Sequence, residues 1–319
     1  MEITQLVEQL KTNKFPYTNN LIHLFRGGSD LHGAQLANKH DDDWYGVFVE
    51  PPEMVIGLKD YPHYVWSSAG DTKRNEPGDM DVCFYSLRKW AKLVSGGNPT
   101  CISYLFAENC VGNGDVNYWD EILANKSLFL SKSAAEQFRG FALAQRQRYM
   151  GERGQGKHGQ RPELEEKFGF DTKAAMHVMR LLGEGIELMQ TGEITYPRPN
   201  KSLLIAVREG KYDQAFLKDM TDQLFADLDK AQAESDLPES VDREAVSKFL
   251  TTFYLNIWGT NDTAANRILA RAVNLASRWI AGHLRADDRV DGHPQWEAWR
   301  DESTVKVNLI DMAIRTEED

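Results

Sequence analysis

An apolar run, Leu21-Ile22-His23-Leu24-Phe25, stops at Gly27-Gly28-Ser29, and a polar stretch of helical length then leads to Asp41-Asp42-Asp43 and a second run, Trp44-Tyr45-Gly46-Val47-Phe48-Val49. Apolar runs this short, bounded by glycine and, after the second, by Pro51-Pro52, are strands rather than helices. Between them, Ser29 or Asp30 is suited to cap a helix over 31–38. The stretch therefore folds as strand, glycine turn, short helix, strand, a compact unit that carries a site on its loop. Glycines beside a serine admit the close approach of a phosphate, because no Cβ stands in the way. Aspartates at the mouth of a strand suit a divalent metal, which takes hard carboxylate oxygens. Together they suggest a site for a metal–nucleotide complex.

Side chains alternate along a strand. Asp41 and Asp43 therefore share one face, and Asp42 points away unless the strand starts later, in which case Asp42 replaces one of them. A third carboxylate is expected from a neighbouring strand. Asp81 opens the third predicted strand, 81–85, and is the choice; Asp79, two residues earlier on the same face, is the competitor. With Asp41, Asp43 and Asp81 as ligands, two Mg²⁺ ions can be held. Gly28 and Ser29 are placed to hold the β and γ phosphates of a nucleoside triphosphate.

The rest of the chain changes character near residue 119. Before it, 3–10 has helical spacing, the polar stretch 69–78 reads as a hairpin loop, Ser86 caps a helix with Leu87, Trp90, Ala91 and Val94 on its apolar face, and Gly96-Gly97-Asn98-Pro99 ends that helix. After it come long helical patterns over 134–149, 172–190, 212–233, 241–256 and 261–284. Lys173, His177 and Arg180 lie at i, i+4 and i+7, a helix face of three potential cations. The loop 151–162, with Arg153, Lys157, His158 and Arg161, is basic and suits an acceptor.

Net charge is −11 over 319 residues. Coating extended duplex DNA needs clustered Lys and Arg, so that function class is excluded, while a small anionic substrate or one nucleic-acid end is not. Three cysteines without a Cys-x-x-Cys pair argue against a zinc site or a disulfide framework and for the cytoplasm. No apolar run reaches membrane-spanning length and the N-terminus has no signal-peptide order, so no membrane partner is expected.

Gly28-Ser29, eleven residues, then Asp41-x-Asp43 resembles the signature of the DNA polymerase β-like nucleotidyltransferase superfamily. Three further stretches, 81–106, 161–182 and 192–199, resemble the RNA-ligase-associated nucleotidyltransferases of bacteria and phages. His40 and Asp42 depart from the pattern, which usually has Ser or Thr and an apolar residue there. The resemblance implies an α+β fold: a small mixed β-sheet core with flanking helices, followed by a mostly helical C-terminal half. It implies a palm-like domain over 1–118, a helical domain over 119–258 that closes over the nucleotide through Lys173, His177 and Arg180, and an appended helical segment over 259–319. It implies Mg²⁺-dependent transfer of a nucleotidyl group from a nucleoside triphosphate, in the context of RNA repair. The acceptor is an RNA or tRNA end in the preferred reading. The alternatives are a protein hydroxyl, as in an antitoxin-like AMPylating enzyme, and a nucleotide-binding regulatory protein without catalysis.

Overall fold

The computed structural model describes residues 3–36, 42–70, 78–110, 117–152 and 161–260. The chain divides into two compact units after Val246. Among the described residues, the first carries all the strands and most of the helices, and the second carries most of one helix.

The first unit opens with α1 (Ile3–Thr12), followed by β1 (Leu21–Arg26), α2 (Gly28–His32), β2 (Asp42–Phe48), α3 (Pro52–Val55), β3 (His63–Ser67) and β4 (Met80–Ser86). The strands form one mixed sheet in the order β1-β2-β4-β3. β1 runs antiparallel to β2, β2 parallel to β4, and β3 antiparallel to β4. This is the α+β class and the mixed sheet that the resemblance implied.

Two local expectations are corrected. The helix expected over 31–38 begins at Gly28 and ends at His32. Gly33, at φ +65°, takes the left-handed conformation that closes a helix, and its N–H bonds back to the Asp30 carbonyl. The strand of Asp81 is the fourth in the chain, not the third, because β3 precedes it. β3 lies at the sheet edge with His63 and Val65 exposed, so its sequence lacks the apolar signal of a buried strand. The antiparallel pair β3–β4 does make 69–78 a hairpin connection, of which 71–77 lie outside the described residues.

Alternation gives the sheet two different faces. On one, Leu24, Trp44, Phe48, Met80, Val82 and Phe84 form a core with Leu6 and Leu10 of α1 and with Phe15. Gly46 belongs to this face, and a Cβ there would meet the Phe84 ring at 2.9 Å, so the glycine makes room for the aromatic. On the other face, His23 stacks on Trp119 with ring centroids 4.1 Å apart, and Phe25 meets Tyr104 edge-on at 4.8 Å.

The helices that cover this second face are α4 (Leu87–Ser95), α5 (Pro99–Ser103) and α6 (Tyr118–Ala124). Ser86 caps α4, accepting from Lys89 N–H at 3.2 Å, and Asn98 caps α5, accepting from Cys101 N–H at 3.1 Å. Beyond them come α7 (Ser133–Tyr149), α8 (Pro162–Phe168), α9 (Thr172–Thr191), α10 (Lys201–Arg208), α11 (Gln214–Glu234) and α12 (Arg243–Thr260). α9 runs between α7 and α11. A Cβ at Gly185 would stand 3.1 Å from both Phe138 Cβ on α7 and Leu228 Cδ1 on α11, so this glycine sets how closely the three helices approach. The three cysteines form no disulfide. Among the described residues no helix is long and apolar enough to cross a membrane.

Candidate active site

The parallel pairing of β2 with β4 places Asp43 directly beside Asp81. Neighbouring strands lie about 4.8 Å apart, and residues in register point to the same face, so the two carboxylates project together from one end of the sheet. Asp42 is one residue out of phase. It pairs with Met80 on the opposite face, where Arg26 Nη1 lies 3.6 Å from its Oδ1 and the Arg26 guanidinium sits over the Trp44 ring. Asp79 is held at the mouth of the hairpin, its Oδ1 accepting from Ser68 Oγ at 2.7 Å. Asp41 lies outside the described residues.

The two glycines after β1 each fit against a particular side chain. A Cβ on Gly27 would stand 1.9 Å from the Tyr45 ring, and Gly27 N–H donates to the Asp43 carbonyl at 2.8 Å. Gly28, at φ +56°, has Asp43 Oδ2 where a Cβ would stand, 1.8 Å away. The turn thus rests its backbone on the Asp43 carboxylate, and Ser29 follows, half-buried, in α2. Tyr45, two residues after Asp43, lies below the carboxylates on the same face. Burial pushes its phenol pKa up, and the charges of Asp43 and Asp81 push it further.

The α9 face meets this end of the sheet. The Arg180 guanidinium is near enough to Tyr45 to oppose the rise in its pKa. Arg180 Nη1 donates to Glu184 Oε2 at 2.8 Å, and His32 Nδ1 of α2 lies 3.0 Å from Glu184 Oε1. Glu184 is 1% exposed. Burial alone would raise its pKa, but Arg180, His32 and Arg198 outweigh that and bring it down to about 2. His177 is not a cation. Burial lowers its pKa well below the usual imidazole range, and the charges of Arg180, Lys173 and Arg161 lower it further. Arg161 Nη1 in turn donates to Asp171 Oδ2 at 2.9 Å, while Asp171 Oδ1 caps α9 at Ala174 N–H. Of the basic loop 151–162, residues 153–160 lie outside the described residues.

α2 is also tied to the helical part by its own backbone. Arg198 N–H donates to the His32 carbonyl at 3.1 Å, and Arg208 Nη1 to the Ala34 carbonyl at 2.6 Å. A Cβ on Gly33 would come within 2.9 Å of Pro197 Cβ.

With this geometry in place, comparison with known proteins is decisive. The RNA repair pathway DNA polymerase beta family matches residues 2–252, most of the chain. The chain belongs to this family. It is therefore a nucleotidyltransferase of the polymerase β type, in agreement with the resemblance read from the sequence. Among solved structures, a nucleotidyltransferase-like protein from Exiguobacterium sibiricum 255-15 is similar at 10% identity and a TM-score of 0.26, over 99% of this chain and 92% of that one. No curated protein matches.

In this member of the family, the donor set suits a hard divalent metal. Asp43 and Asp81 offer oxygen ligands from adjacent strands, and the missing Cβ of Gly28 lets the turn approach Asp43 Oδ2 closely. Among the described residues no cluster of three or more metal-ligating side chains is present; Asp41 lies outside them. Sequence reasoning missed Glu184, Tyr196 and Arg198. Glu184 carried a signal, a carboxylate four residues after Arg180 inside the apolar stripe of α9. Tyr196 and Arg198 carried none, because their place beside His32 arises from tertiary docking.

Proposed function

We propose that the protein transfers a nucleotidyl group from a nucleoside triphosphate to the 3′ hydroxyl of an RNA or tRNA end. The observation that carries this is the register of Asp43 with Asp81, with Gly28 seated on the Asp43 carboxylate. Membership of an RNA repair family supports RNA as the acceptor. Asp41, Asp43 and Asp81 hold two Mg²⁺ ions. Bound metal neutralises phosphate charge and makes the acceptor hydroxyl more acidic.

The chain's own groups do the rest. The Gly27–Gly28 backbone and the Ser29 hydroxyl cradle the β and γ phosphates. Lys173, His177 and Arg180 line the helical side, His177 as a neutral hydrogen-bonding group. Asp81 receives the proton of the acceptor hydroxyl. The hydroxyl oxygen then bonds to the α-phosphorus, the bond from that phosphorus to the bridging oxygen breaks, and pyrophosphate leaves. In this arrangement residues 119–258 form the domain that covers the nucleotide, and residues 259–319 are an appended segment.

The test is incubation with each α-labelled nucleoside triphosphate, Mg²⁺, and either total RNA or cell lysate. Label in RNA, lost in Asp43→Asn, is the expected result. Label in protein would replace the RNA acceptor with a protein hydroxyl, and no transfer to either would overturn the reading.

A further inference from the structure

The buried carboxylate of Glu184 joins two parts of the candidate site that are far apart in the chain. Its Oε1 lies 3.0 Å from His32 Nδ1, on the helix that begins at Gly28, and its Oε2 accepts from Arg180 Nη1 at 2.8 Å, on the face of α9 toward Tyr45. The Glu184 side chain is 2% exposed, and those of His32 and Arg180 are 12% and 16% exposed, so water does little to screen the contacts. The Tyr196 ring lies edge-on to His32 at 5.4 Å, which leaves the imidazole little room to turn.

We propose that Glu184 is a positioning residue for the triphosphate: one carboxylate fixes both the glycine turn, through His32, and the Arg180 guanidinium. The proposal rests on the nucleotidyl-transfer reading above. A carboxylate alone on α9 has no reason to be buried, since an ion there loses hydration that only close partners replace. Glu184 has Arg180 hydrogen-bonded to Oε2 and the His32 ring close to Oε1, its Nδ1 3.0 Å away but not aligned for a hydrogen bond and its pKa lowered by burial, and each of the two belongs to an element that the phosphates would touch. With the carboxylate in place, Arg180 is held back along its own helix and the His32 ring is kept beside α9. The phosphate-binding groups are thereby held in place before the nucleotide arrives, which lowers the cost of binding.

Glu184→Gln keeps the shape and removes the charge. In the full-length protein, the KM for the nucleoside triphosphate is expected to rise about tenfold with kcat within about threefold, the signature of lost ground-state binding. The same substitution added to His32→Ala/Arg180→Ala is expected to change KM less than twofold, because the residues through which Glu184 acts are gone. A purely structural role would add the same factor in both backgrounds, and that result overturns the proposal. So does an unchanged KM in Glu184→Gln. If Glu184→Gln does not fold, Glu184→Asp keeps the charge but withdraws it by one methylene; a rise in KM is then expected, and none overturns the proposal. A wild type that transfers nucleotide while Glu184→Gln equals it overturns this proposal alone. A wild type that neither binds nor transfers overturns the functional reading with it.

Discussion

Gly28→Ala separates a structural glycine from one that shapes the site. At φ +56° an L-residue is in the left-handed region, which costs roughly 1–2 kcal/mol. The added Cβ would stand 1.8 Å from Asp43 Oδ2. Contacts under 3.0 Å are essentially never seen for a real Cβ, so the carboxylate or the turn must give way by 3.0 − 1.8 = 1.2 Å. A misplacement of about 1 Å at a reacting centre can cost ~100-fold in rate. Gly70, at φ +76° with nothing within 4 Å of its added Cβ, carries the backbone cost alone and serves as the control. Both variants are expected to lower Tm by roughly 2–8 °C, from ~2–4 °C per kcal/mol in a unit of this size. Only Gly28→Ala is expected to lose about 100-fold in nucleotidyl transfer and to weaken Mn²⁺ binding, read by electron paramagnetic resonance titration. If Gly28→Ala stays within about threefold of Gly70→Ala in both assays, the contact with Asp43 carries no functional weight.

In a carboxylate series, Asp43→Asn and Asp81→Asn are expected to reduce transfer by at least ~100-fold, and Asp42→Asn, on the opposite face beside a half-exposed arginine, by less than about threefold. Equal losses at positions 42 and 43 would refute the strand register as the basis of the site. His23 makes a separate prediction about stability. Burial lowers its pKa from 6.5 to about 3, so between those values the unfolded chain takes up the proton and the folded chain does not. Stability should fall as pH drops through 6.5 toward 3, by up to ~5 kcal/mol from this residue. His23→Phe, which keeps an aromatic ring against Trp119, should show a flatter dependence of the urea midpoint over that range, and parallel curves for the two proteins would refute the assignment.

How much of this was legible in the sequence depended on the range of the interactions. The long helices were: 134–149 and 172–190 correspond to Ser133–Tyr149 and Thr172–Thr191, because their apolar spacing runs for several turns. The placement of Asp43 and Asp42 on opposite faces was legible too, since alternation is a local property of a strand. The parallel pairing of β2 with β4 was not, because β3 intervenes in the chain and joins the sheet outside β4. The start of α2 was misplaced because Gly28 read as part of the turn, whereas it opens the helix from a left-handed conformation. His177 looked cationic as one member of a polar face, and only its surroundings, three positive groups and a buried setting, make it neutral. Glu184 was overlooked for the converse reason, although its place four residues after Arg180 in the apolar stripe of α9 was a signal. Glutamate is usually solvated, and here its partner His32 comes from the far end of the unit.

The same pairings bear on what holds the triphosphate. The arginines near the candidate site are already matched with carboxylates: Arg180 with Glu184, Arg161 with Asp171, and Arg26 with Asp42 and Asp30. Glu184 and Asp171 are almost wholly buried, so their charges cancel those of their partners with little screening. His177 contributes no charge, and Asp43 and Asp81 repel an incoming phosphate. A chain of net charge −11 adds nothing favourable from a distance. In the proposed reading the arginines orient phosphate oxygens but supply little surplus positive charge, and divalent metal at the carboxylates, helped by Lys173, supplies most of the attraction. Affinity for a nonhydrolysable triphosphate, measured by equilibrium binding, is therefore expected to fall at least ~100-fold on replacing Mg²⁺ with EDTA, and Asp43→Asn/Asp81→Asn is expected to abolish most of that difference. If the affinity in EDTA matched that in Mg²⁺, the α9 face would be sufficient to bind the triphosphate, and the neutralisation of Arg180 by Glu184 inferred from their geometry would be wrong.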